Sequence, residues 1–422
     1  MTGRTRWQTL VAAGAAVAAC AVTAACGGGQ PASSAPSRAQ PAGSAASDSA
    51  GSSASAGPAD TSAAPAAPAA TGTADAACVS QVLGKLTLAQ RVGQLFLVAA
   101  DGNSTRTRLS TAEHTYHFGS VLLDTSAAGT EALAGQTQAI QALAASGTGG
   151  VGFFIAANQE GGAVQQLTGS GFAAMPSELT QGSWTTAALH AAASGWGTDL
   201  RAAGVNLDLA PVMDVVPAGT AASNAPIGAL DRQYGSDPAV NGAHGAAFIN
   251  GMAAAGVMTV AKHFPGLGRV TGNTDFTATG VVDNVTTADD PGLDSFRGAI
   301  GAGVPMMMIA LATYTKIDAS QPAVFSPAVI RLLRDGLGFN GVIVSDDLGQ
   351  AAAVQSVPAG TRAVRFLSAG GDLVTSQLLG PAEQMAAAVL ARASADASFG
   401  ATVDAAAEHV LSAKKAAGLL SC

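Results

Sequence analysis

Charge is scarce in this chain of 422 residues: 11% are Asp, Glu, Lys or Arg, and the 20 bases are outnumbered by 28 acids. A net charge of −8 excludes a surface built to attract nucleic acid. Long apolar runs are scarce as well. The mean hydropathy is +0.31, but Ala supplies much of it, and only residues 8 to 25 form an uncharged stretch near the length of a membrane span, which excludes a polytopic membrane protein. Metal-site spacings are missing: there is no His-Glu-x-x-His and no Cys pair at zinc spacing. No metal or cofactor is therefore expected. No Gly-x-Ser-x-Gly elbow follows a strand-like run, which argues against a Ser/His hydrolase. What is abundant is apolar residues, at 48%, enough for a substantial core and too many for bulk disorder.

The first residues read as an export signal: Arg4 and Arg6, an Ala/Val/Leu run from Leu10, then Val22-Thr23-Ala24-Ala25-Cys26 and three glycines. Small residues before a Cys resemble the lipobox of bacterial lipoproteins, and this resemblance implies a signal over 1–25 with Cys26 as the lipidated residue. Cys20 is the rival position. Export by this route implies a protein held on the outer face of the bacterial cytoplasmic membrane or in the cell envelope. Residues 27–77 lack Leu, Ile, Val, Met, Phe, Tyr and Trp altogether, so the stretch 26–77 cannot build a core and reads as a flexible tether. Cys78 and Cys422 are the other two cysteines. Export makes oxidation expected, and a Cys78–Cys422 disulfide is predicted over two free thiols.

From about residue 79 the texture changes to short apolar runs separated by Ala-rich stretches. Strands are predicted near Gln94–Val98, Gly119–Asp124, Val151–Asn158, Asn206–Asp214, Met258–His263, Pro305–Ala312, Gly341–Asp346 and Gly371–Thr375. Eight such runs alternating with helices predict an α/β fold with a parallel sheet covered on both faces. A single (β/α)8 TIM-like barrel over 78–422 is the expectation, because polar residues gather where several runs end, as they do on the catalytic face of a barrel. An open doubly wound sheet is the alternative, but its Gly-x-Gly-x-x-Gly fingerprint is absent.

Those run ends carry specific tracts. Lys262-His263-Phe264-Pro265-Gly266-Leu267-Gly268, followed by Arg269 to Asp275, resembles the loop after the fifth strand in glycoside hydrolase family 3. Asn158-Gln159-Glu160-Gly161-Gly162, Ala210-Pro211-Val212-Met213-Asp214-Val215, Asp231-Arg232-Gln233-Tyr234, Leu337-Gly338-Phe339-Asn340-Gly341 and Val344-Ser345-Asp346-Asp347-Leu348 fall in that family's order. Together they span roughly residues 80 to 380. The single-domain β-N-acetylglucosaminidases are the members this chain resembles. That likeness implies a retaining, exo-acting β-N-acetylhexosaminidase acting on terminal β-linked N-acetylglucosamine in cell-wall glycan turnover.

Retention needs one carboxylate to attack the anomeric carbon and a second group to protonate the departing oxygen, then deprotonate water. Asp346 matches the family's nucleophile; the competing reading is a helix N-cap, which suits Asp347 better. An ionised nucleophile needs donors around it, and Lys262, Arg232 and His263 are the available ones. The resemblance also places Lys262, His263 and Arg232 on the sugar, with Asp214 orienting these cations or the substrate. The departures are as informative. The family's Asp-Ser/Thr-His is here Asn273-Thr274-Asp275, and none of the six histidines (His114, His117, His190, His244, His263, His409) lies in this loop. Asp275 is therefore the candidate acid/base, which requires a raised pKa; a loop-capping role is the alternative. Asn158 replaces an Asp that binds a sugar hydroxyl in the family, and Ala163 replaces an Arg.

Only helices are expected after the eighth strand, so the acid must come from the barrel's own loops. Two further readings stay open: a weakened sugar-binding lipoprotein and a glycoside phosphorylase. A monomer, a carbohydrate substrate, a lipid anchor as the membrane contact and no nucleic acid are the expected associations.

Overall fold

This computed structural model describes residues 73–100, 112 and 114–422. The signal over 1–25, Cys26 and most of the predicted tether lie outside the described residues. Eight parallel strands form one sheet: β1 (Phe96–Ala100), β2 (Ser120–Leu123), β3 (Phe154–Ala157), β4 (Leu207–Asp208), β5 (Met258–Phe264), β6 (Met306–Ile309), β7 (Val342–Ser345) and β8 (Val374–Ser376). They pair in chain order from β1 to β7, and β1 pairs with β8. A parallel bridge between Val344 and Leu373, with Ser345 N donating to Leu373 O at 2.9 Å, closes the ring. The α/β barrel expectation holds. Each predicted run overlaps its strand: five contain it, while β1, β5 and β8 continue one or two residues past the predicted end.

The largest trim is in the fourth run, and its cause is chemical. Pro211 has no N–H to give, so the ladder with β5 stops after Asp208 and resumes only as a bridge between Val212 and Lys262. The remaining strands are buried on both faces, which is why they read as continuous apolar segments. The connecting helices start on ordinary signals. Thr185 accepts from Ala188 N ahead of Thr186–Ala202, and Asp237 accepts from Ala239 N ahead of Pro238–Ala254, which has Pro in its first turn.

The floor of the barrel, where the strands begin, is closed by the first and last described helices. Helix Thr73–Lys85 packs against the last helix, Ala397–Ala416, and Cys78, Val79, Leu86, Val151, Leu411 and Leu420 form a small satellite core there. Lys414 is fully buried and donates to Gln94 Oε1 at 2.7 Å and Gly119 O at 2.6 Å, just before β1 and β2. Helix Thr73–Lys85 begins inside the stretch predicted as tether. Lack of large apolar side chains excludes core burial, but Ala-rich sequence is no obstacle to a helix.

Cys78 and Cys422 are joined in a disulfide, with Cα atoms 5.7 Å apart and a sequence separation of 344. A link closing so long a loop stabilises mainly by restricting the unfolded chain, by about 2–4 kcal/mol. Replacing both cysteines by Ser is expected to lower unfolding stability by that amount in chemical denaturation. Wild type treated with reductant should match the variant.

Candidate active site

The site is assembled from strand ends. Asp346 directly follows β7, and its backbone N–H donates to Ile309 O of β6 at 3.1 Å. It does not cap a helix: a turn follows, and the carboxylate serving that turn belongs to Asp347. Asp347 is buried and accepts from Gly349 N at 2.8 Å, Gln350 N at 3.1 Å and Gln377 N at 2.9 Å. Burial nonetheless raises the Asp347 pKa to about 6, against those donors, with the Asp346 charge adding to the rise.

Asp275 arrives from the loop after β5. Thr271 N and Gly272 N both donate to Gly280 O, at 3.0 and 2.9 Å, pinching that loop into a closed excursion. Its tip is tied to the segment after β7: Ala352 N donates to Asp275 O at 3.1 Å and Ala353 N to Thr274 O at 3.0 Å. Asn273 does the capping in this turn, its Oδ1 accepting from Asp275 N at 2.9 Å. The half-buried Asp275 carboxyl has its pKa raised to about 7, first by desolvation and then by the charges of Asp346 and Asp347; Arg232 and Lys262 oppose the rise.

The cations predicted to hold Asp346 are engaged elsewhere. Arg232 grips Glu160 with two donors, Nε at 2.7 Å and Nη2 at 2.8 Å, while Nη1 donates to Pro226 O at 2.8 Å. Lys262 Nζ lies 2.6 Å from Glu160 Oε1 and 3.0 Å from Asn158 Oδ1. Burial alone would raise the Glu160 pKa, but Arg232 and Lys262 overcome it and hold it at about 2. The Glu160 carboxylate in turn draws the Arg232 pKa upward. His263 pairs with Asp214 through Nδ1 at 2.7 Å; Asp214 Oδ1 also accepts from Leu267 N at 2.6 Å. So Asp214 orients His263 and the Gly266–Gly268 turn. Gly268 has no side chain because a Cβ there would run into the Val215 carbonyl.

Lys262, His263, Arg232, Asn158, Asp214, Asp275 and Asp346 thus gather at one end of the barrel. Glu160 is the member that the sequence did not single out. Its tract was legible, and a buried Lys and Arg at a sugar site need a counter-anion, but Asp231, next to Arg232, was an equally available acid in those motifs. Two other acids behind Glu160 were also missed. Glu178 and Asp208 are buried; Oε1 of the first accepts from Val212 N and Oδ1 of the second from Gln159 N, each at 3.0 Å. Their second oxygens, like the Tyr234 hydroxyl, have no hydrogen-bond partner among the described residues. Desolvation raises the pKa of Glu178, with Glu160 adding to it, and desolvation likewise raises that of Asp208.

A raised folded-state pKa makes Glu178 a stability liability as pH climbs. Its contribution is intact below the unfolded value of 4.5 and is lost progressively above it, at up to about 1.4 kcal/mol per pH unit until the folded value is reached. Glu178→Gln cannot ionise. Its stability relative to wild type should therefore rise from pH 4.5 to pH 8 in parallel thermal melts, and a gap independent of pH would show Glu178 to be ionised in the folded state.

Among the described residues no cluster of His, Cys, Asp and Glu is arranged to hold a metal ion, and no helix is long and apolar enough to cross a membrane. Residues 87–413 match the pattern described as the glycosyl hydrolase family 3 N terminal domain. A beta-hexosaminidase of Stenotrophomonas maltophilia is 35% identical over 237 residues, covering 52% of this chain and 65% of that protein. Beta-hexosaminidase LpqI of Mycobacterium tuberculosis is 33% identical over 237 residues, 54% of this chain and 59% of that protein. The matches thus span somewhat under two thirds of those curated relatives. The crystal structure of a beta-N-acetylhexosaminidase from Beutenbergia cavernae superposes with a TM-score of 0.76 at 45% identity, over 78% of this chain and 99% of that one.

Proposed function

Because the chain belongs to glycosyl hydrolase family 3, we propose that it is a retaining β-N-acetylhexosaminidase that removes terminal β-linked N-acetylglucosamine. The observation carrying this reading is the placement of Asp275 at the same end of the barrel as Asp346, where burial and then the Asp346 charge raise the Asp275 carboxyl to about 7. Asp346 attacks the anomeric carbon while protonated Asp275 gives its proton to the leaving oxygen. Asp275, now a carboxylate, takes a proton from water as that water releases the sugar. Lys262, His263, Arg232 and Asn158 bind and orient the sugar. Glu160 keeps the two cations in place, and Asp214 keeps the imidazole in place.

Cell-wall glycan is the proposed source of substrate, with the protein exported, anchored through a lipid on Cys26 to the outer face of the bacterial cytoplasmic membrane or the cell envelope, and monomeric. The leader sequence supports this, as does a disulfide of the kind that persists in oxidising compartments. Water is the proposed acceptor. A phosphate dianion would have to enter beside Asp275, Asp346 and Asp347, where burial and the charges of the latter two already raise the Asp275 pKa.

The test is incubation with a chromogenic N-acetyl-β-glucosaminide, with and without inorganic phosphate. Release of free N-acetylglucosamine at a rate insensitive to phosphate is expected. Sugar-1-phosphate as the product would replace hydrolysis by phosphorolysis, and the absence of turnover would leave a sugar-binding protein.

A further inference from the structure

Of the six exposed large apolar side chains among the described residues, one, Phe276, lies within the Gly272–Gly280 excursion after β5. Phe276 is the only aromatic among the six, at 45% exposure. It follows Asp275 directly, at the tip that Ala352 N and Ala353 N hold in place. A single exposed apolar residue is ordinary on a protein surface. An exposed aromatic residue directly after the proposed acid, on a tip whose backbone is tied down at Thr274 and Asp275, is in a more informative position.

The argument is geometric. The oxygen that Asp275 serves joins two residues of the substrate, so whatever departs begins one bond beyond it. Asp275 feels the Asp346 charge across the site, while its neighbour at the tip stays open to solvent. A leaving group that extends toward solvent past this tip comes to Phe276. A pyranose presents apolar C–H faces, and a flat ring is the side chain that buries such a face with the least loss of rotamer freedom.

We propose that Phe276 is the platform on which the departing sugar stacks, making it a specificity-determining residue that favours a saccharide leaving group over a small one. The inference rests on the glycosidase reading above and deepens it.

Phe276→Ala and Phe276→Trp in the full chain test this, with two substrates: the β-1,4-linked disaccharide of N-acetylglucosamine and methyl N-acetyl-β-glucosaminide, whose leaving group has no ring. Phe276→Ala is expected to lower kcat/KM for the disaccharide about 5- to 10-fold, chiefly through KM, and to leave the methyl glycoside within about 2-fold. Phe276→Trp should restore the disaccharide. Equal losses on both substrates would mean that the ring only props the Asp275 loop, and no loss on either would mean that it touches nothing in the reaction; each overturns the proposal while the hydrolase reading stands. Failure of wild type to cleave either substrate overturns both.

Discussion

Asp346→Ala is expected to lower kcat by roughly 10⁴-fold or more while the protein still folds. The loss is large because the covalent route through a glycosyl-enzyme disappears and nothing else in the site can form that bond. Folding should survive because the side chain is only half-buried and stands beside two other acids, so its removal relieves repulsion. Added azide separates a lost nucleophile from a damaged fold. It fits where the carboxylate was and attacks the β-glycoside directly, giving the α-glycosyl azide. A 2-fluoro-sugar adduct located on Asp346 of the wild type by mass spectrometry would make the same assignment, and an adduct on another residue would remove Asp346 from the chemistry. The variant has a second signature: without the Asp346 charge, the Asp275 pKa should move down from about 7.

Asp275→Ala is expected to separate substrates by leaving group. For a poor leaving group, kcat/KM should fall by about 10²–10⁴-fold, the range for losing a general acid, whereas a dinitrophenyl glycoside, which departs unaided, should change little. Azide should now give the β-glycosyl azide, because it intercepts the glycosyl-enzyme from the face that Asp275 served. The pH profile carries the sign. Wild-type kcat/KM for a poor leaving group should decline above about pH 7, as the raised Asp275 carboxyl loses the proton it must donate, and this alkaline limb should flatten in the variant. An equal loss for good and poor leaving groups would make Asp275 a loop residue and move the acid elsewhere.

The barrel was legible in the sequence because each strand is buried on both faces and so leaves an apolar run that local reading detects. The site was legible where its residues sit in contiguous tracts at strand ends, as with Lys262, His263 and Asp346. What escaped was tertiary. Glu160 meets Arg232 across 72 positions of chain, and nothing local to either residue names the other. Cations read as partners for Asp346 therefore turned out to neutralise Glu160. Glu178 shows the same limit in another form: behind Ser177, whose side chain caps a short helix, it looks like a routine first-turn acid, and only the packed fold reveals that the barrel wall encloses it.

The seam between helix Thr73–Lys85 and the C-terminal helix also fixes where the polypeptide enters the barrel, at the end opposite Asp346 and Asp275. A group attached at Thr73 itself would sit at the end of the barrel away from Asp346 and Asp275. Immobilising the protein through a residue of helix Thr73–Lys85 should leave the Asp346 and Asp275 end free, whereas an extension grafted into the Gly272–Gly280 excursion would stand beside Asp275.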